Sequence, residues 1–234
     1  MNGDAEIKVE DHGSKKVLKY NGITYSLSDS NSIYTHMYWD FFIPLPLLFE
    51  KPRILLIGLG GGTIAYQLTT LYNGNITLEI SEINRVMVER AKEFTGIDAS
   101  RFTLYLEDGA EVVKRKKNAY EIIILDAYIN DRIPKQFLQE DFISDAYTAL
   151  SDKGILAINY ANKLSLFFEY IGYKQRLRKY FDLYILKKGI GSRNSILLAS
   201  KTLTGAEIFA IIKSKMQQSF ENQFLIDAYS EMIK

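Results

Sequence analysis

The run Arg53-Ile-Leu-Leu-Ile57-Gly58-Leu-Gly60-Gly61-Gly62-Thr63 reads as a strand that passes directly into a glycine turn and then into a helix. Arg53 to Ile57 is dominated by large aliphatic side chains, the composition of a parallel strand covered on both faces. No polar spacer separates it from the glycines. Without Cβ atoms the backbone at Gly58, Gly60 and Gly62 is free to take positive φ and to approach a ligand. A helix opening at Thr63 presents unpaired N–H groups toward the same point. Together these features describe a nucleotide-binding corner.

The spacing narrows the ligand. A dinucleotide fingerprint needs G-x-G-x-x-G, whereas the sixth position here is Thr63, leaving G-x-G-x-G. No Gly-Lys-Ser/Thr follows, which excludes a P-loop. G-x-G-x-G after a first strand is similar to the loop of Rossmann-like S-adenosylmethionine-dependent enzymes, whose ligand has no pyrophosphate to cradle. Tight strand-to-helix packing produces glycine-rich turns too, so the rest of the chain has to discriminate.

The 234 residues suffice for one sizeable α/β domain and a small appendage. A hydrophobic fraction of 47% and a charged fraction of 24% are those of an ordinary globular protein. The formal charge of +1 exerts no global pull on nucleic acid or membrane. With no cysteine, disulfides, thiol catalysis and thiolate metal sites are ruled out, and His12 and His36 lack metal-ligand spacing, so no metal is expected. No signal pattern opens the chain and no apolar run reaches membrane-spanning length, so a cytoplasmic location is expected.

Alternating stretches at 6–10, 16–20 and 23–26, with a positive-φ turn signal at Asn21-Gly22, predict a small antiparallel hairpin unit within residues 1–32. A helix interrupted by Pro44 and Pro46 is expected over the aromatic and apolar run 33–49. From Arg53 the pattern alternates strand and helix. Strands are expected at 53–57, 76–80, 102–106, 120–125 and 155–160, and helices at 63–72, 83–94 and 134–150. In the second helix Ser81 is the expected N-cap, and Val86, Val88 and Ala91 point inward. A helix at 164–180, a hairpin around Gly189-Ile-Gly191 and a last helix opened by the capping box Thr204-x-x-Glu207 complete the chain. Residues 33–234 thus read as a Rossmann-like α/β domain: a seven-stranded, mostly parallel sheet with helices on both faces. The closing antiparallel pair resembles the ending of class I methyltransferase sheets.

Ligands of open α/β sheets lie beyond the carboxyl ends of the strands. Glu79, after the second strand, is placed to accept hydrogen bonds from both ribose hydroxyls. Asp108, beside Gly109, can accept from an adenine amino group. Asp126, ending the fourth strand, points where an amine would lie, and Asp131 follows on the adjoining loop. Any one of these could be an exposed carboxylate or a helix cap, but four at successive strand ends are harder to dismiss.

Leu55-Leu-Ile-Gly-Leu-Gly-Gly-Gly-Thr63, Glu79-Ile80, Glu107-Asp-Gly109, Tyr120-Glu-Ile-Ile-Ile-Leu-Asp-Ala127, Asp131-Arg-Ile-Pro134 and Tyr34-Thr-His-Met-Tyr-Trp39 resemble the core of spermidine synthase-like proteins, the aminopropyltransferase branch of the S-adenosylmethionine-binding fold. The resemblance implies decarboxylated S-adenosylmethionine or S-adenosylmethionine as co-substrate, a small amine acceptor and a homodimer. By position it makes Gly58, Gly60, Glu79, Asp108 and Asp126 nucleoside-binding. The sequence also departs from the family. The glycine loop lacks the family's Asp, Ile129 stands where a second Asp follows the fourth strand, the polyamine-binding Gln falls at Tyr25, and a His/Gln-Glu pair falls at Thr35-His36.

Transfer on this scaffold is an in-line displacement at a carbon bonded to sulfonium, and a neutral amine nucleophile needs a carboxylate in reach. Asp126 and Asp131 are the candidates. Tyr34, Tyr25 and His36 are the candidate acceptor contacts; Tyr38 and Trp39 read more readily as core. The basic run Lys114-Arg-Lys-Lys117, and eight basic against two acidic residues between Lys163 and Arg193, read as solvated surface rather than an RNA-binding face. A methyltransferase on the same fold, and a non-catalytic nucleoside-binding protein that lost the second aspartate, stay open as alternatives.

Overall fold

The computed structural model describes residues 7–129, 131–161, 163–186, 194–219 and 222–234. The N-terminal unit is a three-stranded antiparallel sheet of β1 (Ile7–His12), β2 (Lys15–Tyr20) and β3 (Ile23–Asp29). Asn21 and Gly22 join β2 to β3 with φ of 48° and 79°, the left-handed pair that a tight hairpin turn demands.

The second sheet uses β4 (Arg53–Ile57), β5 (Thr77–Ser81), β6 (Thr103–Tyr105), β7 (Tyr120–Leu125), β8 (Leu150–Ala161), β9 (Asp182–Leu186) and β10 (Asn194–Ser200). Their order is β6-β5-β4-β7-β8-β10-β9, with β10 antiparallel to both neighbours and the first five strands parallel. Helices α1 (Thr63–Leu71), α2 (Arg85–Thr95), α3 (Gly109–Lys114), α4 (Glu140–Ala149), α5 (Phe167–Leu177), α6 (Gly205–Ser219) and α7 (Gln223–Ser230) cover the faces. Strand pleating sorts the core. Ile54, Leu56, Ile122 and Ile124 pack with Leu68 of α1 and Ile212 of α6, while Leu55, Ile57, Ile123 and Leu125 pack with Val112 of α3 and Ile143 of α4. The order reverses between β4 and β7, and a parallel sheet opens its ligand crevice at such a point.

The seven-stranded α/β architecture is as the sequence predicts, with local differences. Residues 33–49 form two short 3-10 turns, Tyr38–Phe42 and Leu45–Leu48, because the prolines and a buried acid interrupt the helix. That acid, Asp40, accepts hydrogen bonds from the backbone of Thr35 and His36, from Thr35 Oγ1 and from Gln67 Nε2. The N-cap of α2 is Asn84, whose side chain accepts from Val86 and Met87; Ser81 is the last residue of β5 instead. Val86 consequently faces outward, 51% exposed, and Met87, Val88, Ala91 and Phe94 form the inner face. Thr204 and Glu207 close the expected capping box reciprocally, but two helices follow rather than one. The expected turn at Gly189-Ile-Gly191 lies outside the described residues; β9 and β10 on either side of it pair antiparallel.

Candidate active site

A cavity of about 700 Å³ opens over the tips of β4, β5, β6, β7 and β8, roofed by the N-terminal sheet. Its position follows from the glycine turn. Gly58 has φ of 92°, and a Cβ there would stand 2.5 Å from the Asp126 carbonyl oxygen, so only glycine lets the tips of β4 and β7 come this close. Gly61 serves the roof: its N–H donates to Ser26 Oγ at 2.7 Å, and a Cβ would meet Ser26 Cβ at 2.5 Å. Thr63 Oγ1 and the backbone of Leu27 exchange two further hydrogen bonds, at 2.9 and 3.2 Å. Tyr25 completes the closure, donating to the Tyr128 carbonyl at 3.2 Å.

Several sequence-derived site residues line this cavity: Gly58, Gly60, Asp108, Gly109, Asp126, Asp131 and Tyr25. Others do not. Gly62 is the N-cap of α1, at φ of 89°, and turns toward Ala91 and Thr95 of α2. Tyr34 packs against the core and hydrogen-bonds Asn222. His36, at φ of 57°, is exposed beside Phe224. The register of β5 moves Glu79 away as well. Ser81 is level with Ile57, so Glu79 sits two residues short of the strand tip. Its Oε2 accepts from Tyr120 at 2.6 Å, Tyr105 at 3.0 Å and Lys116 at 3.3 Å. Burial opposes the charge of Glu79, but these donors outweigh it and hold the carboxyl below its usual range.

The strand-tip acid is Glu82. It lines the cavity, and each oxygen is fixed by one backbone donor: Leu59 N–H of the glycine loop at 3.0 Å and Asn84 N–H at 2.8 Å. A carboxylate oxygen accepts more than one hydrogen bond, so both keep acceptor capacity for a diol. Asp108 caps α3 through Ala110 N–H at 2.9 Å and takes Gln136 Nε2 on its other oxygen at 2.9 Å.

Asp126 lies across the switch point from Glu82. Its Oδ1 accepts from Asn159 Nδ2 at 2.7 Å, and the Tyr38 hydroxyl donates to the same carboxylate. Asn159 is fully buried and is held in turn by Asn194 Nδ2 at 2.7 Å. The Asp126 carboxyl keeps only part of its surface toward the cavity. Burial pushes its pKa up to about 7, with the bonds from Asn159 and Tyr38 pulling the other way. Burial likewise raises the Tyr25 phenol to about 12, so it stays a proton donor at neutral pH. Asp131, at φ of 62°, also lines the cavity, but its Oδ2 is bound to Lys163 Nζ at 2.8 Å. Lys163 is the one cationic side chain among the described lining residues, against the four acids Glu82, Asp108, Asp126 and Asp131. Among the described residues no group of three side chains could hold a metal ion, and no helix is long and apolar enough to cross a membrane.

Glu82, Asn159 and Gln136 are absent from the sequence-derived set of site residues, and Tyr38 reads there as core. For Glu82 a signal existed: the Asn84 cap fixes the start of α2 and leaves Glu82 as the acid between strand and helix.

A seven-stranded sheet in this order, with a glycine turn and acids at the strand tips, defines a methyltransferase-like fold. Human methyltransferase-like protein 13, solved with SAH, superposes with a TM-score of 0.63 at 19% identity, over 78% of this chain and 91% of that one. The chain belongs to the spermine/spermidine synthase family, whose domain model matches residues 33–186. A polyamine aminopropyltransferase of Vibrio vulnificus is 30% identical over 163 residues, 67% of this chain and 53% of the relative. An N-terminal histidine N-methyltransferase of Emericella nidulans is 32% identical over 128 residues, 53% of this chain and 22% of the relative. The chain spans about half the length of the curated aminopropyltransferases it matches. A probable spermidine synthase from Corynebacterium glutamicum shares the fold at a TM-score of 0.74 and 16% identity, over 97% of this chain and 91% of that one.

Proposed function

We propose that the chain transfers an aminopropyl group from decarboxylated S-adenosylmethionine to an amine. The observation that carries this reading is the charge of the cavity, four acids against one lysine that Asp131 already engages. Such a lining favours a donor that bears a sulfonium and an ammonium and has lost its carboxylate. In this reading Glu82 accepts from both ribose hydroxyls, Asp108 from the adenine amino group, and Gly58 and Gly60 let the thioether approach the floor.

The acceptor arrives as an ammonium ion and gives one proton to Asp126, whose raised pKa suits that task near neutrality. The freed amine lone pair attacks the carbon bonded to sulfonium, a C–N bond forms, and the C–S bond breaks. The bonding pair stays on sulfur, and neutral methylthioadenosine leaves. Asn159 and Tyr38 orient the carboxylate, while the N-terminal sheet excludes water from the reacting atoms. A homodimer in the cytoplasm belongs to the same proposal, its assembly to be read by light scattering.

Methyl transfer is the second reading, favoured by the glycine loop's lack of the family's acid; at Gly61 the space a side chain would need is taken by Ser26. Calorimetric titration with S-adenosylmethionine and with its decarboxylated form separates the two. Tighter binding of the decarboxylated form, with methylthioadenosine released when an amine is added, supports aminopropyl transfer. Preference for the carboxylated form overturns it.

A further inference from the structure

The cavity has two ends set by topology. Glu82 and Asp108 stand at the β5 and β6 tips, and Asp126, Ile129, Asp131 and Lys163 stand past the β7 and β8 tips, under Tyr25. We infer that the acceptor is a monoamine with an apolar body, not a diamine or longer polyamine. This inference rests on the proposed transfer reaction and specifies its acceptor.

At the β7–β8 end, three lining acids and bases leave one unmatched carboxylate. Asp126 meets neutral donors only, from Asn159 and Tyr38, whereas Asp131 and Lys163 neutralise each other at 2.8 Å. One ammonium is therefore matched and a second is not. Three positions past Asp126 the lining gains an apolar side chain: Ile129 is 51% exposed yet lines the cavity, and its backbone is pinned by a reciprocal pair of hydrogen bonds with Arg132 at 2.9 and 3.1 Å. Ile23 and Met37 are among the other apolar residues lining the same cavity. A second ammonium placed here would lose hydration to an aliphatic wall without gaining an anion, while a methylene chain gains by the same contact.

The test uses 1-aminohexane and 1,6-diaminohexane, which share a carbon chain and differ by one charge. Each is titrated calorimetrically into the full chain saturated with methylthioadenosine, so the readout needs no turnover. The monoamine is expected to bind at least about tenfold tighter, a difference of about 1.4 kcal/mol. In Lys163→Met, which frees Asp131, and in Ile129→Asp, which adds an acid, that preference is expected to shrink about tenfold or reverse. Equal or tighter binding of the diamine by the unaltered chain, binding of neither amine, or a preference unmoved in both variants overturns the inference. Methylthioadenosine binding combined with a diamine preference sinks this inference alone; failure of methylthioadenosine to bind sinks the transfer reading and this inference with it.

Discussion

Replacing Asp126 by Asn removes the acid at the cavity floor and should change stability in a pH-dependent way. The Asp126 pKa is raised from 3.8 to about 7 by burial, so between those values the folded chain holds a proton that the unfolded chain has released. Stability then falls as pH rises through this window, and the loss is complete above the folded-state value. Between about pH 5 and about pH 7, at about 1.4 kcal/mol per pH unit, the ceiling is about 2.7 kcal/mol. Water in the open cavity screens part of this, so about 1.5 kcal/mol is expected, or roughly 3–6 °C in melting temperature for a chain of this size. Asn carries no such proton. The melting temperature of Asp126→Asn relative to the parent should therefore rise between about pH 5 and pH 8 and level off above. Thermal melts of both proteins across that range provide the assay, alongside loss of methylthioadenosine release. Parallel melting curves at every pH would refute the placement of a desolvated carboxyl at this point.

Glu79 within β5 and Glu82 just past its end separate by experiment. Glu82→Gln should weaken methylthioadenosine binding at least about tenfold with little change in melting temperature, whereas Glu79→Gln should leave binding intact and destabilise by about 1–2 kcal/mol through the weakened bonds of Tyr120, Tyr105 and Lys116; calorimetry and thermal melts on both variants check the pair. The acid limb of the pH–rate profile should fall near 7, because Asp126 must be ionised to accept a proton, and Asn159→Ala should move it upward by removing a bond to the ionised form. A limb unmoved in that variant would take Asn159 out of the mechanism. Gly61→Ala should destabilise by about 1–3 kcal/mol by driving a methyl group into Ser26, measured by chemical denaturation.

The strands β4 and β7 match the sequence reading residue for residue, because unbroken aliphatic runs between a charged residue and a glycine or aspartate admit one register. The glycine turn and the acids Asp108 and Asp126 were legible for the same local reason. Glu79 and Glu82 were not distinguishable locally. Both stand directly before an isoleucine in Leu78-Glu-Ile-Ser-Glu-Ile83, and only pairing with β4 and β6 shows that the strand continues to Ser81. Tyr34 and Tyr38 present the same difficulty, since which tyrosine reaches the cavity depends on how Asp40 folds residues 35–40 against Gln67, a contact 27 positions away in the chain. Ionic pairing of Asp131 with Lys163, 32 positions apart, was likewise out of reach of local pattern. Local chemistry fixed the scaffold, and long-range contacts chose the side chains presented by it.

The bonds joining Ser26 to Gly61 and Leu27 to Thr63 couple β3 mechanically to the glycine loop, and Tyr25 ties the same strand to Tyr128 in the segment after β7. Anything that immobilises that loop should therefore slow amide exchange in the hairpin above it, making deuterium uptake along Ile23–Asp29 a remote gauge of occupancy.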